Sequence, residues 1–213
     1  MIQIQQFTFN PFSENTYLLI NDQKECIVID PGCYYEEERK ALLDFIAHEK
    51  LHVIQLLNTH THFDHIFGNS LIAKTFGLKP VFHAADQPVF DKASEMGVMY
   101  NTPFEPSVPP ARYLEAGEHI PFGDVELAVL LTPGHSPGSV VFYCAQEKFA
   151  IGGDVLFYRS IGRTDLPYGD HETLLDSIRQ QLFTLPEEVK VYPGHGQPTT
   201  IGFEKKHNPF LQE

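Results

Sequence analysis

Six consecutive residues, His60-Thr61-His62-Phe63-Asp64-His65, put three imidazoles and a carboxylate into one short stretch. Imidazole is the commonest protein metal ligand and exchanges its proton near neutral pH. Crowding such groups without a cation is costly, because each loses solvation that its neighbours do not restore. In an extended or turning segment His60 and His62 project to one side, whereas the adjacent Asp64 and His65 diverge and can address a second position. Three further stretches each carry one potential ligand beside glycine: Thr132 to Gly138 with His135, Gly152-Gly153-Asp154, and Pro193-Gly194-His195-Gly196. Glycine accepts positive φ and close backbone approach, so sharp turns there can aim a side chain at a shared centre. Five histidines and two aspartates exceed what one tetrahedral ion uses, which predicts two divalent ions.

The elements that must position these groups follow from hydrophobic period. Ile2 to Phe9, Thr16 to Ile20 and Cys26 to Ile29 read as strands, and Ala41, Leu42, Phe45 and Ile46 fall at helical spacing behind Glu36-Glu37-Glu38, acids that suit a helix N-terminus. Val53 to Leu57 is a short buried strand, followed by the ligand-rich loop and a helix over Ile66 to Phe76. Prolines at 88, 103, 106, 109 and 110 make 80–121 irregular, with a helical piece near Val89 to Met96 and an excursion over residues 98–110 where a lid could lie. Strands over Val125 to Leu131, Val140 to Ala145 and Phe149 to Ile151, then a helix over His171 to Phe183, repeat the order of the first half. The pattern is consistent with a four-layer αββα sandwich, an α/β fold with polar loops at strand ends. The length of 213 residues fits a single domain over 1–213.

Composition removes several function classes. With 42% hydrophobic and 20% charged residues the chain builds a core and is not disordered. A formal charge of −13 repels phosphate backbones and anionic lipid, so neither nucleic acid nor membrane is an expected partner. No apolar run approaches the roughly 18 residues of a membrane span, and the first residues lack a secretory signal, so a cytoplasmic location is expected. Cys26, Cys33 and Cys144 lack metal-site spacing and are expected to be reduced and mostly buried.

The series His60-x-His62-x-Asp64-His65, His135, Asp154 and His195 resembles the motifs of the metallo-β-lactamase superfamily over nearly the whole chain. That resemblance implies the αββα fold, one metal site from His60, His62 and His135, a second from Asp64, His65 and His195, and Asp154 with a water bridging them. Ser160-Ile161-Gly162-Arg163-Thr164-Asp165 and Asn208-Pro209-Phe210 resemble the glyoxalase II branch, the hydroxyacylglutathione hydrolases, particularly its small bacterial members. The resemblance implies that Arg163 binds a carboxylate or carbonyl of the substrate. Larger members continue past this tail into a helical segment with basic residues for glutathione, whereas this chain ends at Glu213.

These readings predict a metallohydrolase of small-molecule thioesters using two divalent ions, Zn²⁺ with Fe²⁺ or Mn²⁺ as alternatives. Asp64 is expected to combine ligation with orienting the attacking water. A thiol leaving group with a pKa near ~8.5 needs little general-acid help. The alternatives are a mononuclear-iron persulfide dioxygenase, which shares the metal motif and the Gly-Arg-Thr-Asp segment, and a metal-binding protein without turnover. Against the latter, structural zinc sites are closed and usually four-coordinate, whereas seven ligands around two ions leave room for water.

Overall fold

The computed structural model describes residues 1–212, in two units: 1–82 with 87–113, and 83–86 with the residues from 114 onward. In the first, β1 (Gln3–Phe9), β2 (Glu14–Ile20) and β3 (Glu25–Ile29) form an antiparallel meander, with Phe7 opposite Thr16 and Tyr17 opposite Ile29. The helix α1 (Glu36–His48) carries the chain over to β4 (His52–Leu57), which pairs parallel to β3, a connection that requires a crossover element. The short α2 (Phe63–Ile66), α3 (Asn69–Phe76), β5 (Pro80–His83), α4 (Gln87–Met99) and β6 (Arg112–Leu114) follow, and the sheet order is β1-β2-β3-β4-β5-β6. Every second residue of the central strands, Leu18 and Ile20, Cys26 and Val28, packs on Leu42 and Ile46 of α1 and Ile72 of α3. Glu38 fixes the start of α1, accepting from the N–H groups of Tyr34, Tyr35 and Asn10 at 2.8, 3.0 and 2.7 Å.

The second unit holds β7 (His119–Phe122), β8 (Val125–Leu131), β9 (Val140–Cys144), β10 (Phe149–Gly153), a small hairpin of β11 (Leu156–Phe157) and β12 (Ser160–Ile161), α5 (His171–Ser177), β13 (Lys190–Pro193), β14 (Thr199–Thr200) and α6 (Ile201–His207). Its larger sheet runs β14-β13-β10-β9-β8-β7, antiparallel except for the β10–β13 pair. Val141, Ala150 and Val191 of this sheet bury against Leu174, Ile178, Leu182 and Ile201. Asp170 and Thr200 cap α5 and α6, their side chains accepting from Thr173 N and Phe203 N at 2.7 and 3.2 Å.

Three differences from the sequence expectations have local causes. The helix expected over Ile66 to Phe76 is two helices, and the break falls at Gly68, whose N–H reaches Pro31 O at 2.7 Å and where a Cβ would sit 2.5 Å from Cys33 Sγ. The stretch 80–121 is more regular than its prolines predict, because Pro88 falls in the first turn of α4, where a missing N–H costs nothing. Its irregular part is pinned at one end, with Phe104 packed on Phe67 at 5.0 Å between ring centroids and Thr102 N donating to Gly97 O at 2.7 Å. The helix expected over His171 to Phe183 passes into a π-helical turn at Ile178–Leu182, closed by Phe183 N to Ile178 O at 2.8 Å.

All three cysteines are reduced and buried, as expected. Burial pushes the Cys26 and Cys33 thiols up to about 12. At pH 8 the folded protein therefore holds about 10⁻⁴ of each as thiolate, the reactive form. We expect a maleimide to leave Cys26 and Cys33 unmodified in the native state at pH 8 and to label both in denaturant, read by mass spectrometry.

Candidate metal centre

The four-ligand loop starts where β4 ends. His62 is the last extended residue, with φ −59° and ψ 146°, and the turn of α2 that follows is closed by His65 N to His62 O at 3.0 Å. Asp64 and His65 therefore project from a helical turn, not from an open loop. The His60 ring lies 4.8 Å from that of His62 and 4.1 Å from that of His65. His60 and His65 are fully buried and Asp64 is nearly so.

A residue absent from the sequence reading organises this loop. Asp30, at the end of β3 with φ 48°, accepts from Thr59 N at 2.7 Å, from Thr59 Oγ1 at 2.5 Å and from His65 Nδ1 at 3.1 Å. Because Thr59 spends its hydroxyl proton on Asp30, its oxygen accepts from His60 Nδ1 at 3.1 Å. Both imidazoles are thereby held with the proton on Nδ1, which leaves the Nε2 lone pair for a metal. Asp30, His60 and His65 offer ligand atoms within 4.8 Å of one another, but the Asp30 oxygens already serve these donors, so it acts through the imidazoles. A carboxylate directly after a buried strand and before Pro31-Gly32 was the available signal.

Behind the loop, Asn10 Nδ2 donates to Gly32 O at 2.9 Å and to Asp64 O at 3.0 Å, tying Asp64 to the β3 end. Gly32 packs so tightly that a Cβ would lie 1.9 Å from Glu14 Oε2. Glu14 is fully buried, and burial pushes its carboxyl well above the ordinary value, with His65 acting in the opposite sense.

In the second unit, His135 sits in a loop fastened on three sides. Asp86 accepts from Gly138 N at 2.9 Å and from the Ser136 hydroxyl, and Ser177 Oγ donates to Pro133 O at 2.7 Å. At Gly134, φ is +131° and a Cβ would fall 2.3 Å from Leu174 N, so only glycine fits. His135 Nδ1 donates to Arg163 O at 2.8 Å, again leaving Nε2 as the ligand atom. Asp154 follows β10, and its Oδ2 stands 3.6 Å from His135 Nε2 and 3.4 Å from His195 Nε2. Donors around 2.0–2.1 Å from a tetrahedral ion are about 3.3 Å apart, so each of these two spacings fits a pair of ligands on one cation. Across both units the candidate donors are imidazole nitrogens and carboxylate oxygens, a set suited to Zn²⁺, Fe²⁺ or Mn²⁺.

The Arg163 guanidinium is already paired. Its Nε and Nη2 form a two-pronged ion pair with Asp165 at 2.7 and 2.8 Å, and both side chains are more than half exposed. The guanidinium holds the Asp165 carboxyl down at about 2. The Asn208 tail is a structural latch: its Nδ2 donates to Ser160 O at 2.9 Å and to Glu204 Oε2 at 2.8 Å, holding the β11–β12 hairpin.

Compared with known proteins, residues 9–195 match the metallo-beta-lactamase superfamily. A probable metallo-hydrolase of Streptococcus pyogenes is 39% identical over 203 residues, 93% of this chain and 85% of that protein. The hydroxyacylglutathione hydrolase GloC of Haemophilus influenzae is 35% identical over 99% of this chain and 98% of its own length. Among solved structures, the BLEG-1 B3 metallo-beta-lactamase superposes with a TM-score of 0.91 at 38% identity, covering 99% of this chain and 100% of that one. TTHA1623 in a di-iron-bound form gives 0.88 at 36%, over 97% and 100%. ETHE1 from Myxococcus xanthus gives 0.79 at 27%, over 97% and 83%. The α/β fold class expected from the sequence is borne out by these likenesses.

Replacing Thr59 by valine removes the hydroxyl between His60 and Asp30 at little change in volume. We expect a 10–100-fold loss of metal affinity, the usual cost of losing such a supporting hydrogen bond, measured by competition with a chromophoric chelator. Asp30→Ala, which frees both imidazoles, should lose at least as much.

Proposed function

The chain belongs to the metallo-beta-lactamase superfamily, and from that premise we propose that it is a binuclear metallohydrolase of glyoxalase II type, cleaving S-(2-hydroxyacyl)glutathione or a related acyl thioester to a hydroxy acid and a free thiol. The observation that carries the reading is the Oδ2 of Asp154 facing the Nε2 atoms of both His135 and His195, the arrangement a carboxylate needs if it is to be shared by two ions. We assign His60, His62 and His135 to one ion and Asp64, His65 and His195 to the other, with Asp154 bridging and both units forming one functional domain. Di-iron binding in TTHA1623 supports a dimetal site. Zn²⁺ is the proposed ion, and the same donors accommodate Fe²⁺ or Mn²⁺.

When bound, a pair of divalent ions supplies a hydroxide near neutral pH and polarises the carbonyl under attack. The chain's own residues do the rest. Asp64 accepts a hydrogen bond from the attacking water and orients it. Asp30 and Thr59 keep His60 and His65 in the ligating tautomer, as the Arg163 carbonyl does for His135. Arg163 binds the thioester once its guanidinium exchanges Asp165 for substrate. The departing thiolate needs no dedicated acid. The substrate is a small molecule, and a cytoplasmic location fits the reading.

One neighbour favours a second reading: ETHE1 shares the fold at 27% identity, and a mononuclear-iron persulfide dioxygenase uses a subset of these ligands. Metal analysis of protein purified without added metal, run alongside S-D-lactoylglutathione hydrolysis, separates the two. Two ions per chain with thioester turnover supports the hydrolase. One iron with oxygen uptake on glutathione persulfide and no thioester loss assigns the dioxygenase. Nitrocefin in the same series tests for lactam cleavage, prompted by the likeness to BLEG-1. His60→Ala and Asp154→Ala should each lose metal and turnover while the circular dichroism stays native, and retained activity in either would sink the binuclear assignment.

A further inference from the structure

The β11–β12 hairpin is rooted between the candidate ligands of the second unit. Gly162 N donates to Val155 O at 3.1 Å, closing the hairpin one residue after Asp154 and one before Arg163, whose carbonyl holds the His135 ring. The root is packed against both ligands, since a Cβ on Gly162 would lie 2.0 Å from Asp154 O and 3.2 Å from His135 Cβ. Two residue pairs join the strands, Leu156 with Ile161 and Phe157 with Ser160, and a two-stranded hairpin is marginal by itself. A displacement of its tip, Tyr158-Arg159, therefore carries to Asp154 and to the carbonyl on His135.

The tip is anchored by Glu204 of α6, a fully buried carboxylate. Its Oε2 accepts from Arg159 N at 3.0 Å and from Asn208 Nδ2 at 2.8 Å, and Asn208 Nδ2 also donates to Ser160 O at 2.9 Å, so the tip is held on both sides. Its Oε1 accepts from the Thr199 hydroxyl. Thr199 pairs with Val191 in the β13–β14 ladder, and the chain leaving β13 is tied by Gly194 N to Gly153 O at 2.8 Å, one residue before His195. None of the three groups donating to Glu204 is a cation, so hydrogen bonds alone replace the lost solvent and fix one arrangement. Two of them, Arg159 and Thr199, belong to the segments that run into the site: the hairpin toward Asp154 and Arg163, and the β13–β14 pair toward His195.

We propose that Glu204 is a positioning residue of the metal centre, holding the hairpin and β14 so that Asp154, His135 and His195 keep the spacing a cation needs. This rests on the metallohydrolase reading above and deepens it: the C-terminal segment serves the site by fixing its ligands.

The test uses the full chain and the variants Glu204→Ala, Glu204→Gln and Asn208→Ala, with Ile46→Ala, a cavity in the core of the first unit near the end of α1, as the control for lost stability. Zinc affinity is measured by competition with a chromophoric chelator and melting by circular dichroism. The His135 Nδ1 proton is followed by NMR of the metal-free protein and assigned by its loss in His135→Gln. Glu204→Ala should bind zinc roughly 10–100-fold more weakly, the range for a lost supporting partner. Its His135 proton signal should vanish through solvent exchange while that of His65, held by Asp30, persists. Glu204→Gln should stay within about threefold of wild type, because its carbonyl oxygen can accept from Arg159 N and Asn208 Nδ2 while its amide donates to the Thr199 oxygen. Asn208→Ala, which frees Ser160 O, should fall between the two Glu204 variants. Ile46→Ala should melt at least as early as Glu204→Ala yet bind zinc within about twofold of wild type.

Wild-type zinc affinity in a folded Glu204→Ala overturns the assignment, and so does an equal loss in Glu204→Gln. A loss in Ile46→Ala as large as in Glu204→Ala overturns it too, by marking the effect as general stability. If Glu204→Ala does not fold, Asn208→Ala decides, and wild-type affinity there overturns the assignment. Zinc binding with the expected variant pattern but no thioester turnover by the wild type would instead overturn the hydrolase reading and leave the role of Glu204 standing. A wild type that takes up no ion overturns the metal reading, and the His135 proton then decides alone whether Glu204 positions that ring.

Discussion

A carboxylate taken out of water at the end of β3 holds the first ligand loop in place. Asp30 is 1% exposed, and a buried charge is tolerable only where hydrogen bonds replace the lost solvent. Those bonds come from one neighbouring stretch: the Thr59 amide, the Thr59 hydroxyl and the His65 ring donate to Asp30, and the His60 ring donates in turn to the Thr59 oxygen. The need to satisfy Asp30 therefore orients two imidazoles before any cation arrives. The positive φ at Asp30 is part of the same arrangement, turning the chain sharply out of the strand toward the loop it supports.

The second unit reaches the same end by another route. His135 is oriented by a main-chain carbonyl, not a carboxylate, and its loop is fastened by Asp86, Ser177 and the close approach of Leu174 to Gly134. A carboxylate partner makes an imidazole more basic than a neutral carbonyl does, so His65 and His135 differ as donors although both present Nε2. The more buried pair, His60 and His65, is thus also the pair backed by negative charge.

How much of this the sequence disclosed depended on range. The candidate donors were legible because four crowd into six positions and the others sit beside glycine at strand ends. The runs Thr16 to Ile20 and Cys26 to Ile29, rich in β-formers and bounded by polar breakers, likewise announced strands. Asp30 was not legible, because its meaning arises from contact with Thr59, 29 positions away, and one carboxylate after a strand has no distinguishing spacing. The break at Gly68 was hidden for the same reason: the Cys33 sulfur and the Pro31 carbonyl, far away in sequence, forbid a side chain there. Asn208 read as a family signature and serves as a latch on Ser160, a role that no periodicity encodes.

Residues 163–170 are fastened to the His135 loop at both ends through their own main chain: Arg163 O accepts from His135 Nδ1, and Asp170 N donates to Gly134 O. Backbone fastenings do not depend on which side chains stand between them. The stretch from Thr164 to Pro167 can therefore drift in identity while the His135 ring keeps its tautomer and direction. Ring orientation and surface charge separate at one residue, Arg163, whose carbonyl accepts from the His135 imidazole while its guanidinium pairs with Asp165.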